Sequence, residues 1–416
     1  MGCKRPLVVA TGAYALSIPG VRAFVASKVP HGSRFASAIS SAFGKVQHVA
    51  LPLAYTQRRR LSHMSDGGGD ADRKKVVFLG TPDVAASSLE LLLEASRQGK
   101  GGGFDIVRAV SNPPARTGRK KVLRPCPVQA LAEEASVPVM TPTTARDEEF
   151  LSELEELEPD LCITAAYGQF LPRRFLDIPK FGTLNVHPSL LPRYRGASPV
   201  QRCLEAGEPE TGVTVAFTVL KMDAGPVVRQ TVRVLDGSEK TPELLQELFE
   251  EGTKQLIDCL SGVWDGTIEK TPQDDDAALK AAKISVEEAR CCFKTSSAIE
   301  IHNKVRAFAG WPGTWALFSW GKGEGSQERK VKLITTAVGE STSDSGATGE
   351  EAPVGERQVV LRGGALELTC FDGSVLRVLE LQPLNKNVMG AKAFANGLRG
   401  EEMSWVEMAP VEVAAV

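Results

Sequence analysis

From Lys75 to Val263 the chain alternates short apolar runs with helix-period segments, and this alternation limits the architectures open to it more than any single residue does. "KKVVFLG" reads as a buried strand that stops at Gly80-Thr81-Pro82-Asp83, and "VAASSLELLLEA" follows as a helix with Leu89, Leu92 and Leu93 on its apolar face. The pattern repeats: "FDIVRAV" as strand, "PVQALAEEA" as helix, "VPVM" as strand, "EEFLSELEEL" as helix, then "DLCITAA" and "TLNVH" as strands before the helix "SPVQRCLEAG". Strands separated by short helices cannot pair as hairpins, so they predict an α/β, Rossmann-like, doubly wound, mostly parallel sheet. "TGVTVAFTVL" and "PVVRQTVRVL" alternate like half-exposed strands, and a long amphipathic helix from Thr241 closes the domain.

From about Ile284 the style changes. One helix, "SAIEIHNKVRAF", precedes the short strand-like pieces "TWALFSW", "RKVKLITTAV", "RQVVLRGG", "ALELTCF" and "SVLRVLELQP", the pattern of a smaller C-terminal β-barrel-like (OB-like) domain. At 416 residues the chain is long enough for both, and no apolar run approaches the ~20 residues of a membrane span. The expected organisation is a leader over 1–65, a linker over 66–74, a catalytic domain over 75–265, a linker over 266–283, and a second domain over 284–410 with a disordered insertion at 339–355.

Chemistry concentrates at "TLNVHPSLLPRYRGASPVQ". Asn185 and His187 stand at i and i+2 on a strand end, so both side chains leave the same face where ligands of such sheets bind. A lone strand-end histidine is more often a hydrogen-bonded structural residue, but an amide beside an imidazolium is a pair suited to stabilising an oxyanion. A carboxylate to orient the imidazole is then expected, and Asp223 in "LKMDAGPVV" is the candidate, although a plain exposed turn would read the same way. Beyond residue 65 the only histidines are His187 and His302, which give no metal-ligand spacing, so no metal is expected. Ser189 and Ser198 lack the nucleophile elbow, and the Gly80 turn lacks a phosphate-cradling glycine pattern. The eight cysteines are scattered without a C-x-x-C pair, as free, mostly buried thiols would be. "SNPPARTGRKKVLRPCPV" collects Arg116, Arg119, Lys120, Lys121 and Arg124 in one loop, which composition alone explains equally well as a solvated face or a phosphate-binding loop.

"FLGTPDVAASSLELLLEA", "AYGQFLP", "NVHPSLLPRYRGASPVQ" and "MDAGPV", in this order, resemble the folate-dependent formyltransferases, and among them those that act on methionyl-tRNA, over roughly Lys75 to Glu402. The resemblance implies that Asn185, His187 and Asp223 are the catalytic set and that Ser189, Leu190, Leu191 and Pro192 line the pocket for 10-formyltetrahydrofolate, the formyl donor. It implies that Arg116, Arg119, Lys120 and Lys121 contact the acceptor stem of initiator methionyl-tRNA, with Lys304, Arg306, Arg329, Lys330 and Lys332 of the second domain holding more of it. A monomer with no membrane partner is expected. Two departures stand out: Val84 where the bacterial pattern has Phe beside the methionine pocket, and Ala224-Gly225-Pro226 where bacterial chains carry an acidic run. The competing readings are a formyltransferase for a small acceptor, such as glycinamide ribonucleotide or an amino sugar, and a catalytically idle RNA-binding homologue.

Residues 1 to 65 hold nine Lys or Arg and no acid, which is the composition of an organelle transit peptide. Lys4 and Arg5 before a mildly apolar stretch, then Ala23-Phe24, outline a signal peptide ahead of a basic segment; a bipartite plastid leader is favoured where the source has a plastid, with a mitochondrial presequence as the competing reading. Without these residues 40 basic groups face 51 acidic ones, so a nucleic-acid partner must be held by local basic patches.

Overall fold

The computed structural model describes residues 73–118, 121–321, 327–339 and 357–408. The leader, most of the first linker, Arg119, Lys120 and the insertion from 340 onward lie outside the described residues.

In chain order the first domain comprises β1 (Lys74–Gly80), α1 (Asp83–Arg97), β2 (Phe104–Val110), β3 (Ala115–Thr117), β4 (Val122–Arg124), α2 (Pro127–Glu134), β5 (Val139–Met140), α3 (Glu148–Leu157), β6 (Leu161–Ala165), α4 (Arg173–Asp177), β7 (Thr183–His187), β8 (Arg195–Gly196), α5 (Pro199–Ala206), β9 (Glu210–Phe217), β10 (Val227–Val234) and α6 (Thr241–Asp265). Its main sheet has the order β10-β9-β7-β6-β1-β2-β5. The strands from β7 to β5 are parallel, and β9 and β10 add an antiparallel edge.

Helices cover both faces, as the doubly wound pattern requires. On one side Leu89 and Leu92 of α1 and Leu248, Leu256 and Leu260 of α6 pack on Val76, Phe78, Leu184 and Val186, all of them buried. On the other, Phe150 and Leu154 of α3 and Phe175 of α4 pack on Val77, Leu79 and Cys162. Burying each such side chain contributes roughly 1.5–3 kcal/mol. The long helix α6 starts with Pro242 in its first turn and stops at Gly266, whose φ of 76° is the left-handed geometry that ends helices.

β7 lies between β6 and β9 with its register fixed on both sides: Asn185 sits opposite Thr164 and Ala216, and His187 opposite Thr214. Alternation therefore sends Leu184 and Val186 toward α6 and frees Asn185 and His187 for the other face.

The interval 266–283 is more than a spacer. It contains β11 (Lys280–Ala281), which pairs in parallel with β8. Beyond it come α7 (Ala298–Ala307), β12 (Trp315–Trp320), β13 (Gln327–Val338), β14 (Gln358–Arg362), β15 (Ala365–Thr369), β16 (Val375–Pro383), β17 (Met389–Gly390), α8 (Ala391–Gly397) and β18 (Met403–Trp405). The order β13-β12-β18-β14-β15-β16, with β16 returning to β13, closes a six-stranded antiparallel barrel, and β17 is appended to β16. Phe293, Phe318 and Trp405 fill its interior with ring contacts. α7 opens with a capping box, Ser297 and Glu300 each accepting the other's backbone N–H.

The seven cysteines among the described residues are free, and all but Cys126 and Cys292 are buried. Burial pushes the thiols of Cys291 and Cys370 up to about 12.

Candidate active site

A cavity of about 800 Å3 opens beside the ends of β1, β6 and β7. Asn185, His187 and Asp223 all line it, so the three residues singled out for chemistry do meet. Tyr167 and Gly168 form part of its wall, and Phe170, Leu220 and Met222 keep apolar surface exposed there.

Each polar group in the triad is oriented by a neighbour. The Thr164 hydroxyl donates to Asn185 Oδ1 at 2.7 Å, which leaves the Nδ2 hydrogens as donors. His187, 5% exposed, has Nε2 3.0 Å from the carbonyl oxygen of Tyr194. A carbonyl only accepts, so Nε2 carries the hydrogen and Nδ1 is the ring atom left for chemistry. Nδ1 faces Asp223 Oδ1 at 3.8 Å, an ion-pair distance for an imidazolium and longer than a direct hydrogen bond. The imidazole orientation expected from the carboxylate thus comes from the Tyr194 carbonyl, and Asp223 stands on the reactive side of the ring.

Tyr194 is itself anchored, its hydroxyl donating to Glu208 Oε1 at 2.7 Å while Arg193 binds the same carboxylate. Burial and the Glu208 carboxylate push the Tyr194 phenol up, and the bonds from Tyr194 and Arg193 hold Glu208 below the usual carboxylate range. Asp223 has φ of 50°, and its Oδ2 accepts the Gly196 N–H at 2.9 Å. Gly196 must be glycine: at φ 131° it passes so close to β11 that an added Cβ would stand 2.5 Å from the Ala281 carbonyl oxygen.

The remaining predicted positions divide. Ser189, Leu190, Leu191 and Pro192 are absent from the cavity wall, where Pro188 is the member of that loop. They lie behind His187: Ser189 Oγ donates to Arg193 O at 2.8 Å, Thr214 Oγ1 donates to Ser189 O at 2.6 Å, and Gln230 Nε2 donates to Leu191 O at 2.6 Å. Leu191 and Pro192 border a second pocket of about 690 Å3 under β10. The loop holds the histidine's surroundings in place.

The basic loop is a hairpin, β3 paired with β4, and Arg116, Lys121 and Arg124 on it are exposed. Its root touches the cavity wall, since Asn112 accepts from Gln169 at 2.6 Å and donates to Tyr167 O at 3.4 Å. Val84 lines the cavity close to the start of α1. In the barrel domain Arg329 and Lys330 lie over the rings of Trp320 and Trp315. Arg306 does not join that surface: it is 4% exposed, donates to Asn303 Oδ1 at 2.8 Å and pairs with Glu239, because α7 presents this edge to the first domain rather than to solvent. Among the described residues no group of three His, Cys, Asp or Glu side chains could hold a metal, and no helix is long and apolar enough to cross a membrane.

Sequence reasoning missed Thr164, whose hydroxyl orients Asn185, and Tyr194, whose backbone carbonyl orients His187. Only Thr164 left a signal, one strand away at the matching register.

Residues 74–260 match the formyl transferase family model, and residues 283–399 match the formyl transferase C-terminal domain. The methionyl-tRNA formyltransferase of Macrococcus caseolyticus is 35% identical over 327 residues, 79% of this chain and 96% of that one. That of a Methylobacterium species is 36% identical over 328 residues, 79% of this chain and 97% of its own. Among solved structures, an N-formyltransferase from Helicobacter canadensis in complex with folinic acid and dTDP-3-aminofucose shares the fold, with a TM-score of 0.50 and 16% identity over 75% of this chain and 100% of that one. A chain that matches such relatives along nearly their whole length belongs to the methionyl-tRNA formyltransferase family.

Proposed function

We propose that this protein transfers the formyl group of 10-formyltetrahydrofolate to the α-amino group of methionyl-tRNA, using Asn185, His187 and Asp223. The observation that carries the reading is convergence: Asn185 Nδ2 and His187 Nδ1 are released by their neighbours toward one cavity, with a carboxylate 3.8 Å from the imidazole. The unprotonated amine attacks the formyl carbon, a C–N bond forms, and the carbonyl oxygen becomes an oxyanion that Asn185 and protonated His187 receive. Collapse breaks the bond to N10 of the folate. The attacking nitrogen loses a proton and N10 gains one, and Asp223 is placed to relay it through water.

The cavity suits a donor that is part apolar ring and part polar edge. Asn185, His187 and Asp223 supply the polar edge of its wall, beside the exposed apolar surface of Phe170, Leu220 and Met222. An exposed basic hairpin rooted on the same wall supports a polyanionic acceptor with many phosphates, as tRNA is, over a small one. The acid-free leader supports work in an organelle, and a fluorescent fusion of residues 1–65 that stays diffuse in the cytosol would dispose of that address.

The test is to incubate the protein with 10-formyltetrahydrofolate and charged initiator tRNA and to assay formyl-methionine. Formylation of glycinamide ribonucleotide or an amino sugar in place of tRNA would establish the small-acceptor reading, and tRNA binding without turnover the idle one.

A further inference from the structure

We propose that Gln273, in the segment between the two matched domains, is a positioning residue for Asp223, so that the interdomain segment completes the catalytic site. The inference rests on the catalytic reading of Asp223.

Asp223 is a non-glycine residue held in the left-handed region, a conformation that persists only where the surroundings enforce it. Gln273 supplies the enforcement. Its Nε2 donates to the carbonyl oxygens of both Asp223, at 2.9 Å, and Gly225, at 2.6 Å, closing the turn from inside. Its Oε1 accepts from Arg195 Nε at 2.9 Å and Nη2 at 2.7 Å, which fixes the carboxamide the right way round. Arg195 is well buried, with a side chain 9% exposed, and its Nη1 reaches Asp275 at 2.7 Å. The next residue, Gly196, donates to the Asp223 carboxylate. One guanidinium-linked unit therefore holds the main chain of Asp223 through Gln273 and its side chain through Gly196.

The interdomain segment is stitched down on both sides of this contact. Thr271 exchanges two 2.8 Å backbone bonds with Val227, and Arg195 N donates to Leu279 O at 2.8 Å in the β8–β11 pair. Gln273 lies between these anchors, with its amide aimed at the turn. A residue outside both matched regions thus sets where the Asp223 carboxylate stands relative to His187.

Gln273→Glu in the full chain isolates the donor function, because a carboxylate still binds Arg195 but offers no N–H to the two carbonyls; Gln273→Met removes both and serves if the first variant is poorly folded. We expect kcat for tRNA formylation to fall about tenfold to a hundredfold, with KM for donor and acceptor within about twofold, in protein that remains folded at the assay temperature. In an Asp223→Asn background the same change should add little further loss. Unchanged kcat in folded Gln273→Glu and Gln273→Met overturns the proposal, as does a loss that persists in full on top of Asp223→Asn. If Asp223→Asn alone retains near-normal turnover, it is the catalytic reading of Asp223 that fails, which the single variant reveals by itself.

Discussion

Asn185 can be tested with unusual precision, because a single neighbour determines which end of its amide meets substrate. Thr164 Oγ1 lies 2.7 Å from Oδ1, so the hydroxyl hydrogen holds the oxygen back and leaves Nδ2 to donate. In the proposed mechanism Asn185→Ala removes one of two oxyanion donors, and a loss of that kind costs about a hundredfold to a thousandfold in kcat. Thr164→Val nearly preserves shape and deletes only the orienting hydroxyl. One neutral hydrogen bond contributes about 1 kcal/mol net, so the loss is capped at about fivefold, with the amide still present but no longer biased. The two effects share one atom group and should not add, so Thr164→Val combined with Asn185→Ala should be no slower than Asn185→Ala alone. Single-turnover formylation of charged initiator tRNA at saturating donor measures all three variants. A Thr164→Val loss beyond about tenfold, or one that survives undiminished in the Asn185→Ala background, would refute the orientation argument.

Neutralising Arg116 and Lys121 as glutamine should raise KM for tRNA and reduce the salt slope of kcat/KM by about one unit per lost phosphate contact, leaving donor binding intact; an unchanged slope means the hairpin is a solvated face. His302 joins the domains, donating from Nε2 to Gly237 O at 3.1 Å and accepting at Nδ1 from Thr336 Oγ1 at 3.0 Å. Burial holds its imidazole below the ordinary 6.5, with nearby Arg306 adding to the effect, so the folded state binds its proton less readily than the unfolded chain. Its contribution is therefore complete above about pH 6.5 and is lost as pH falls through the depressed folded value. Melting curves between pH 7.5 and 5 should show the decline and His302→Gln should flatten part of it; identical pH dependence in the two proteins would exclude this residue as the source.

The main sheet was legible because its strands are bounded by turn residues and its helices carry a 3.6-residue apolar period, as in β2, β7 and α3. Asn185 and His187 were legible for the same reason: the period of two assigns both to one face from their spacing alone. The hairpin read as a loop because "ARTGRKKVLR" has no apolar alternation, its strands being three residues each and those of β4 all exposed. β18 is equally short and pairs only through partners far away in sequence. Arg306 looked like one more helix cation, since nothing local reveals that the first domain covers its edge of α7. "TPQDDD" reads as a solvated acidic linker, and no pattern in it distinguishes Gln273 from a spacer.

The double clamping of β7, parallel to β6 on one side and antiparallel to β9 on the other, bears on how such a chain can vary. A substitution in this strand alters one side chain, but a one-codon insertion or deletion reverses the parity of everything after it. Leu184 and Val186 would then turn to the cavity, and Asn185 and His187 to the apolar face under α6, where Gly252 already leaves Val186 no spare room. Length change here is thus purged as a folding defect before it can be sampled as a change in chemistry. The spacing between amide and imidazole is inherited with the pleat of the strand, and needs no separate selection to stay at two.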